Sequence, residues 1–338
     1  MPRQASFDIT PEKEASKLQF LRRQFFGAPP AVSRRDVDLK GKIAIVTGAS
    51  GGIGLEYSRQ LLSLGLSRLI LAVRNETKGE IARKALTNAT DLEPSQSIEV
   101  WKLDYASYES IMAFVQRVEG LSPRVDVAIL NAGINRSSFN LNPKTGHEED
   151  LQTNYLSTML LVLLLLRVFE RATHTTNPSQ LSPGRIVVVS SDTAAWAKFH
   201  EKTKEPLLPA FDDKGAKWDG FNRYATTKLL GQLFITELAR RVPPALAVVN
   251  CANPGLCYGS DLGRELGLGA AVFIRVFGRS SSVGARTLVH AATQLDDSYH
   301  GQYVEDCKLR PYVLSLLSQV LMTPFIASHR SVRDINSR

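Results

Sequence analysis

Cysteine is scarce: Cys251, Cys257 and Cys307 are the only three in 338 residues. They are odd in number and lack metal-ligand spacing, which excludes a disulfide framework and points to a reducing compartment. The six histidines do not gather near them, so no structural metal is expected. Long apolar runs are missing too. The richest, "MLLVLLLL" at 159–166, is too short to span a bilayer. The opening "MPRQASFDITPEKEASKLQF" has no signal-peptide core, so a cytoplasmic protein is expected. Without secretion, the glycosylation-type triplets at Asn75, Asn88 and Asn135 carry no weight. The net charge is +8, but no Lys/Arg run or basic-aromatic interleaving accompanies it. Nucleic acid is therefore not an expected partner.

What is present is an ordinary globular composition, 43% hydrophobic and 22% charged. Residues 1–40 stand apart as an N-terminal arm. In it "KLQFLRRQFF" sets Leu18, Leu21 and Phe25 at helical spacing before Pro29 and Pro30. From Lys42, short apolar runs alternate with helical patterns: "KIAIVTG", "RLILAVR", "SIEVWKLD", "VDVAILNAG", "GRIVVVSS" and "LAVVNCANPG" read as strands. Between the first two, "GLEYSRQLLSLG" reads as a helix closed by Gly65, and a long helix is predicted over 147–171. The alternation predicts an α/β fold: one doubly wound, Rossmann-type domain over 41–305 with a parallel sheet covered on both faces. The extension 306–338 contains "PYVLSLLSQVLMTPFI", expected to pack as an appended helix.

"TGASGGIG" follows the first strand and opens the first helix of that domain. Gly48, Gly52 and Gly54 allow a sharp turn and close approach of the backbone to a pyrophosphate. The helix start offers unpaired N–H groups and a positive dipole end. Downstream, "NAG" at 131–133 ends the fourth strand, Ser191 ends the fifth, and "YATTK" puts Tyr224 and Lys228 on one helix face. Over about 42–305 the sequence resembles the short-chain dehydrogenase/reductase family, which carries T-G-x-x-x-G-x-G, N-A-G, a serine after strand five and Y-x-x-x-K in this order.

The resemblance implies a nicotinamide cofactor held by Thr47, Gly48, Ser50, Gly52, Ile53, Gly54, Asp104, Asn131, Ala132, Gly133, Tyr224, Lys228, Pro254 and Gly255. Asp104 matches the position that contacts adenine. At the end of the second strand stands Arg74, with no acid before Glu76. A basic residue there accommodates a 2′-phosphate, so NADP(H) is expected. Lys78 is a second candidate cation.

The implied catalytic set is Asn154, Ser191, Tyr224 and Lys228. A free tyrosine titrates near 10, too high for efficient acid/base work at neutral pH. A lysine one turn away, with an oxidised nicotinamide, lowers that pKa. Ser191 would orient the substrate oxygen, and Asn154 would hold a proton-relay water. The expected reaction interconverts a ketone or aldehyde and an alcohol on an apolar small molecule.

Three departures stand out. The stretch 192–221 is longer than in many family members and resembles the retinol-dehydrogenase-like and protochlorophyllide-reductase-like branch. It is expected to shape the pocket rim. After Pro254-Gly255 the usual threonine is replaced around Cys257–Ser260, with Ser260 a candidate substitute. The glycine-rich, apolar stretch 256–280 reads as a lid. The wording "NPGLCYGSDL" looks most like fungal reductases, many serving secondary metabolism. A homodimer through the 147–171 and Tyr224 helices, and peripheral membrane contact through either terminus, stay open. So do double-bond reduction, isomerisation and a non-catalytic NADP-binding regulator on this fold.

Overall fold

The computed structural model describes residues 7–175, 182–215, 217–265 and 267–311. Its strands are β1 Ile43–Thr47, β2 Arg68–Val73, β3 Ser97–Lys102, β4 Val127–Leu130, β5 Gly184–Val189 and β6 Ala247–Asn253. A two-residue pair, β7 Cys257–Tyr258 and β8 Arg279–Ser280, lies apart, and β9 Tyr303–Glu305 and β10 Lys308–Arg310 form a hairpin. The helices are α1 Pro11–Glu14, α2 Lys17–Phe26, α3 Gly52–Ser63, α4 Glu76–Ala89, α5 Tyr108–Glu119, α6 Glu149–Leu151, α7 Thr158–Thr175, α8 Gly220–Ala239, α9 Gly267–Phe277 and α10 Ser281–Thr293.

The main sheet runs in the order β3-β2-β1-β4-β5-β6-β9-β10, parallel except for β10. This is the expected doubly wound α/β fold. Successive residues of a strand face opposite sides. Ile43 and Ile45 accordingly join the core beneath α5, α7 and α8, while Ala44 and Val46 join the one beneath α3, α4 and α10. Helices on both faces explain why β1 and β4 are apolar at almost every position rather than at alternate ones. The leucine run of 159–166 is largely core: Leu161, Val162 and Leu165 are fully buried. Among the described residues, no helix is long and apolar enough to cross a membrane.

Two local expectations need correction. The single helix over 147–171 is broken: α6 leads into a π-helical segment, Gln152–Ser157, before α7 begins. Thr158 Oγ1 bonds the carbonyl of Thr153, five residues back, and the wider turn carries Asn154. In the arm, only part of the predicted apolar face turns inward: Leu21 is half-buried and lines the cavity described below. Leu18 is 78% and Phe25 53% exposed, whereas Arg23 is 6% exposed. Arg23, held by Asp192 and Glu305 on the domain, shares the inward side of α2 with Phe20 and Leu21. The helix also stops at Gly27, before Pro29. The sheet continues through β10, past residue 305. The predicted C-terminal helix lies beyond Pro311, outside the described residues.

Candidate active site

β1 and β4 are neighbours where the strand order reverses, the place at which open α/β sheets bind ligands. Asn131, just past β4, donates from Nδ2 to the carbonyls of Thr47 (3.0 Å) and Gly48 (3.3 Å), holding the glycine turn from behind. The Thr47 hydroxyl accepts from the Ala132 amide at 2.9 Å. Gly48 and Gly52 have φ of 65° and 56°, a region that side chains disfavour. Gly54 is buried, and a Cβ there would stand 2.6 Å from the Gly48 carbonyl. It allows α3 to pack on the turn and does not itself line the cavity.

Helix starts leave N–H groups without intrahelical partners. Side chains cap α4 (Asn75), α5 (Ser107), α8 (Asp219) and α10 (Ser280). The start of α3, at Gly51, has no side-chain cap. Ser50, Gly51, Gly52 and Ile53 line a cavity of about 1130 Å³, and a Cβ on Gly51 would meet nothing within 4 Å. An uncapped helix start facing open space is a place for an anion. The cavity exceeds the roughly 300–1,000 Å³ of one small-molecule site. The residues present therefore fit a nicotinamide dinucleotide together with a substrate.

Arg74 and Asp104 reach the same cavity from the ends of β2 and β3. Among the described residues no carboxylate pairs with Arg74, although its backbone carbonyl accepts from Lys102 Nζ. Asp104 spends one carboxylate oxygen on the Ala106 amide at 3.1 Å. Lys78, Ala132, Gly133, Pro254, Gly255 and Ser260 also line the cavity.

Ser191, Tyr224 and Lys228 line the same space. The Ser191 hydroxyl accepts from the Thr193 amide (3.2 Å) and hydroxyl (2.9 Å), which fixes its direction. Lys228 Nζ donates to the Val189 carbonyl at 2.8 Å and lies 5.5 Å from the Tyr224 ring centroid. Burial disfavours the charged form of each group. It holds the Lys228 ammonium down to about 8, against the pull of Cys251 and Asp150. It also pushes the Tyr224 phenol above its ordinary value; Asp192 adds to the rise and the Ser191 hydroxyl opposes it. Without a cofactor the phenol is thus held above its ordinary value, and the lowering expected from Lys228 together with an oxidised nicotinamide needs that second positive charge.

Asn154 stands behind the wall rather than on it. Its Oδ1 accepts from the Ile134 amide, and its Nδ2 donates to the Ile134 carbonyl, both at 2.9 Å, and to Thr227 Oγ1 at 3.2 Å. It ties the loop after β4 to the helix that carries Tyr224 and Lys228. Nearby, Asp150 accepts the Arg136 amide at 3.2 Å, and burial with the adjacent Glu148 pushes its carboxyl up to about 8.

The long stretch 192–221 does form rim: Trp196, Lys198 and Phe221 line the cavity, anchored by buried Phe199 and Phe211. The stretch 256–280 contributes Phe273, Ile274 and Phe277 from α9. Sequence reasoning found the arm but not its part in the site, where Lys17, Phe20 and Leu21 complete the lining. It also missed Asp192, next to Ser191. Arg23 reaches both Asp192 (3.7 Å) and Glu305 (3.1 Å) and pairs with Glu14. No local spacing signals the first two contacts, because Asp192 and Glu305 lie far along the chain from Arg23; only the charge beside Ser191 was there to be noticed.

The family model described as short chain dehydrogenase matches residues 42–201. The chain is 51% identical to the short-chain dehydrogenase fogG of Aspergillus ruber, over 90% of this chain and 88% of that one. It is 42% identical to the short chain dehydrogenase opdN of Penicillium oxalicum, over 88% and 97%. Among solved structures, a short chain dehydrogenase of Shigella flexneri, complexed with NADP, superposes with a TM-score of 0.56 at 20% identity, covering 81% of this chain and all (100%) of that one. That likeness is one of fold.

Proposed function

This chain belongs to the short-chain dehydrogenase family, and from that premise we propose that it interconverts a ketone or aldehyde and an alcohol on an apolar small molecule, using NADP(H). The observation that carries the reading is the convergence of Ser191, Tyr224 and Lys228 on the cavity that also holds the uncapped α3 start. When bound, the cofactor supplies or accepts the hydride. The remaining work belongs to the chain. Ser191, its hydroxyl steadied by Thr193, orients the substrate oxygen. Tyr224 gives or takes the proton at that oxygen. Burial keeps its phenol protonated in the free protein, which suits it as the donor in reduction. The Lys228 ammonium near its ring favours the phenolate left behind. Asn154 fixes the loop and helix between which a relay out of the site would run.

The preference for NADP(H) rests on Arg74, a guanidinium that no carboxylate among the described residues neutralises, at the place where a 2′-phosphate would lie. The NADP in the Shigella flexneri structure accords with it. The unpaired cysteines fit a reducing compartment such as the cytoplasm. Titration with NADPH and NADH, followed by nicotinamide fluorescence, tests the cofactor assignment. NADPH should bind more tightly, and Arg74→Ala should weaken NADPH by about 1.5–3 kcal/mol, the worth of a charge-assisted hydrogen bond, while sparing NADH. Equal losses would remove the 2′-phosphate role.

A further inference from the structure

We infer that the N-terminal helix α2 is a working wall of the substrate site, and that its Phe20 makes the site selective for flat, aromatic substrates. The inference deepens the functional reading above and rests on it for the reacting end, Ser191 and Tyr224. The arm lies wholly outside the 42–201 matched by the family model, so nothing in that pattern assigns it a role.

The arm is fixed, not draped. Gln24 Nε2 donates to the carbonyls of Leu256 (2.9 Å) and Phe277 (3.0 Å), and its Oε1 accepts from the Leu256 amide at 3.1 Å. Every polar atom of that side chain is thus spent joining α2 to the segment around α9. Trp196 Nε1 donates to the Ala15 carbonyl at 2.7 Å, joining the arm to the turn that follows Ser191. Arg279 Nη2 donates to the Arg23 carbonyl at 3.1 Å, and the Arg23 side chain meets Asp192 and Glu305. Gly255 leaves room for this approach: a Cβ there would meet Gln24 Oε1 at 2.7 Å.

Anchored in this way, α2 turns Phe20 and Leu21 toward the cavity. Phe20 meets Trp196 edge to face, with centroids 5.4 Å apart. Trp196 stacks on Phe221 at 6.4 Å with 20° between the planes, and Phe221 lies one helical turn before Tyr224. The rings form a row leading from the arm to the catalytic tyrosine. From α9, Phe273 and Phe277 add a stacked pair at 4.6 Å. A lining so rich in rings favours a ligand with π faces and edges of its own, since each ring-on-ring contact adds up to about tenfold in affinity beyond area. A saturated molecule of the same skeleton gains the area but not that increment.

The test compares 2-naphthol with decahydro-2-naphthol, the same two-ring skeleton with and without aromaticity, by calorimetry at neutral pH. Each probe is titrated into the full-length protein alone and into its NADPH complex. The wild type should prefer the naphthol about tenfold. Phe20→Leu, which keeps apolar bulk, should reduce the preference to about twofold, and Phe20→Tyr should retain it. NADPH affinity should stay within about twofold of wild type in both variants, because Phe20 lies among the substrate rings. A wild type without preference, or a folded Phe20→Leu protein that keeps it in full, overturns the inference. If NADPH fails to bind the wild type, the cofactor reading falls instead, and the cofactor-free titrations still decide the role of Phe20.

Discussion

Tyr224 and Lys228 share a helix face and a buried setting, and burial moves their proton affinities in opposite directions. The phenol holds its proton more tightly and the ammonium less tightly than in water. Removing the hydroxyl alone separates chemistry from binding. Tyr224→Phe keeps the ring beside Lys228 and should lower kcat by about 10²–10⁴. NADPH affinity, read by nicotinamide fluorescence, should stay nearly unchanged. A variant that keeps most of its kcat would remove Tyr224 from the acid/base role. This pair was legible in the sequence because its geometry is local: four residues of helix bring two side chains to one face wherever the helix packs. Arg23 and Asp192 meet only after the whole sheet has formed, and nothing in "FLRRQ" distinguishes Arg23 from Arg22.

At the scale of elements, the same logic separates two glycines in one turn. Gly54 faces protein and Gly51 faces the cavity. Adding a methyl group at Gly54 forces it against the Gly48 carbonyl and the Asn131 amide, neither of which is free to retreat. Gly54→Ala should cost about 1–3 kcal/mol of stability in a urea melt. Gly51 has an extended φ of −179°, which any residue adopts, and open space where a Cβ would go. Gly51→Ala should therefore melt like the wild type yet bind NADPH about tenfold more weakly, because the methyl group occupies room needed by the ligand. The reverse pattern would misplace the cradle. Strands and helices of the sheet were readable because apolar runs and glycine stops act over a few residues. The break at 152–157 was not: Thr158 bonds the Thr153 carbonyl inside the segment, and Asn154 is held by Ile134 on the loop after β4, a contact that no helical spacing announces. The inward face of α2 escaped for a related reason: a buried Arg23 among carboxylates contradicts the apolar stripe on which helix reading depends.

Across the whole molecule, burial has left several carboxyls holding protons more tightly than free side chains do. Asp150 is pushed up to about 8 and Glu148 upward beside it; Glu305 and Asp192 rise as well, against the opposing pull of Arg23. A carboxyl raised on folding is better protonated in the folded than in the unfolded chain. Its contribution is fully present below the unfolded pKa near 4 and is lost as pH climbs through the folded value. Lys228 works in a neighbouring window. Its folded value of about 8 lies below the ordinary 10.5, so burial of the ammonium costs stability below 8, and the cost is relieved between 8 and 10.5. The melting temperature should fall as pH rises from 5 to 8. Asp150→Asn isolates one share of this slope. The amide oxygen still accepts from Arg136, but the group no longer ionises. Wild type and variant should melt together below pH 4. Above it the variant should gain on the wild type by about 1.4 kcal/mol per pH unit, until the folded carboxyl itself ionises. Parallel melting curves across the range would mean that Asp150 remains ionised in the folded protein. The slope would then belong to the Arg23 cluster that binds the arm to Asp192 and Glu305.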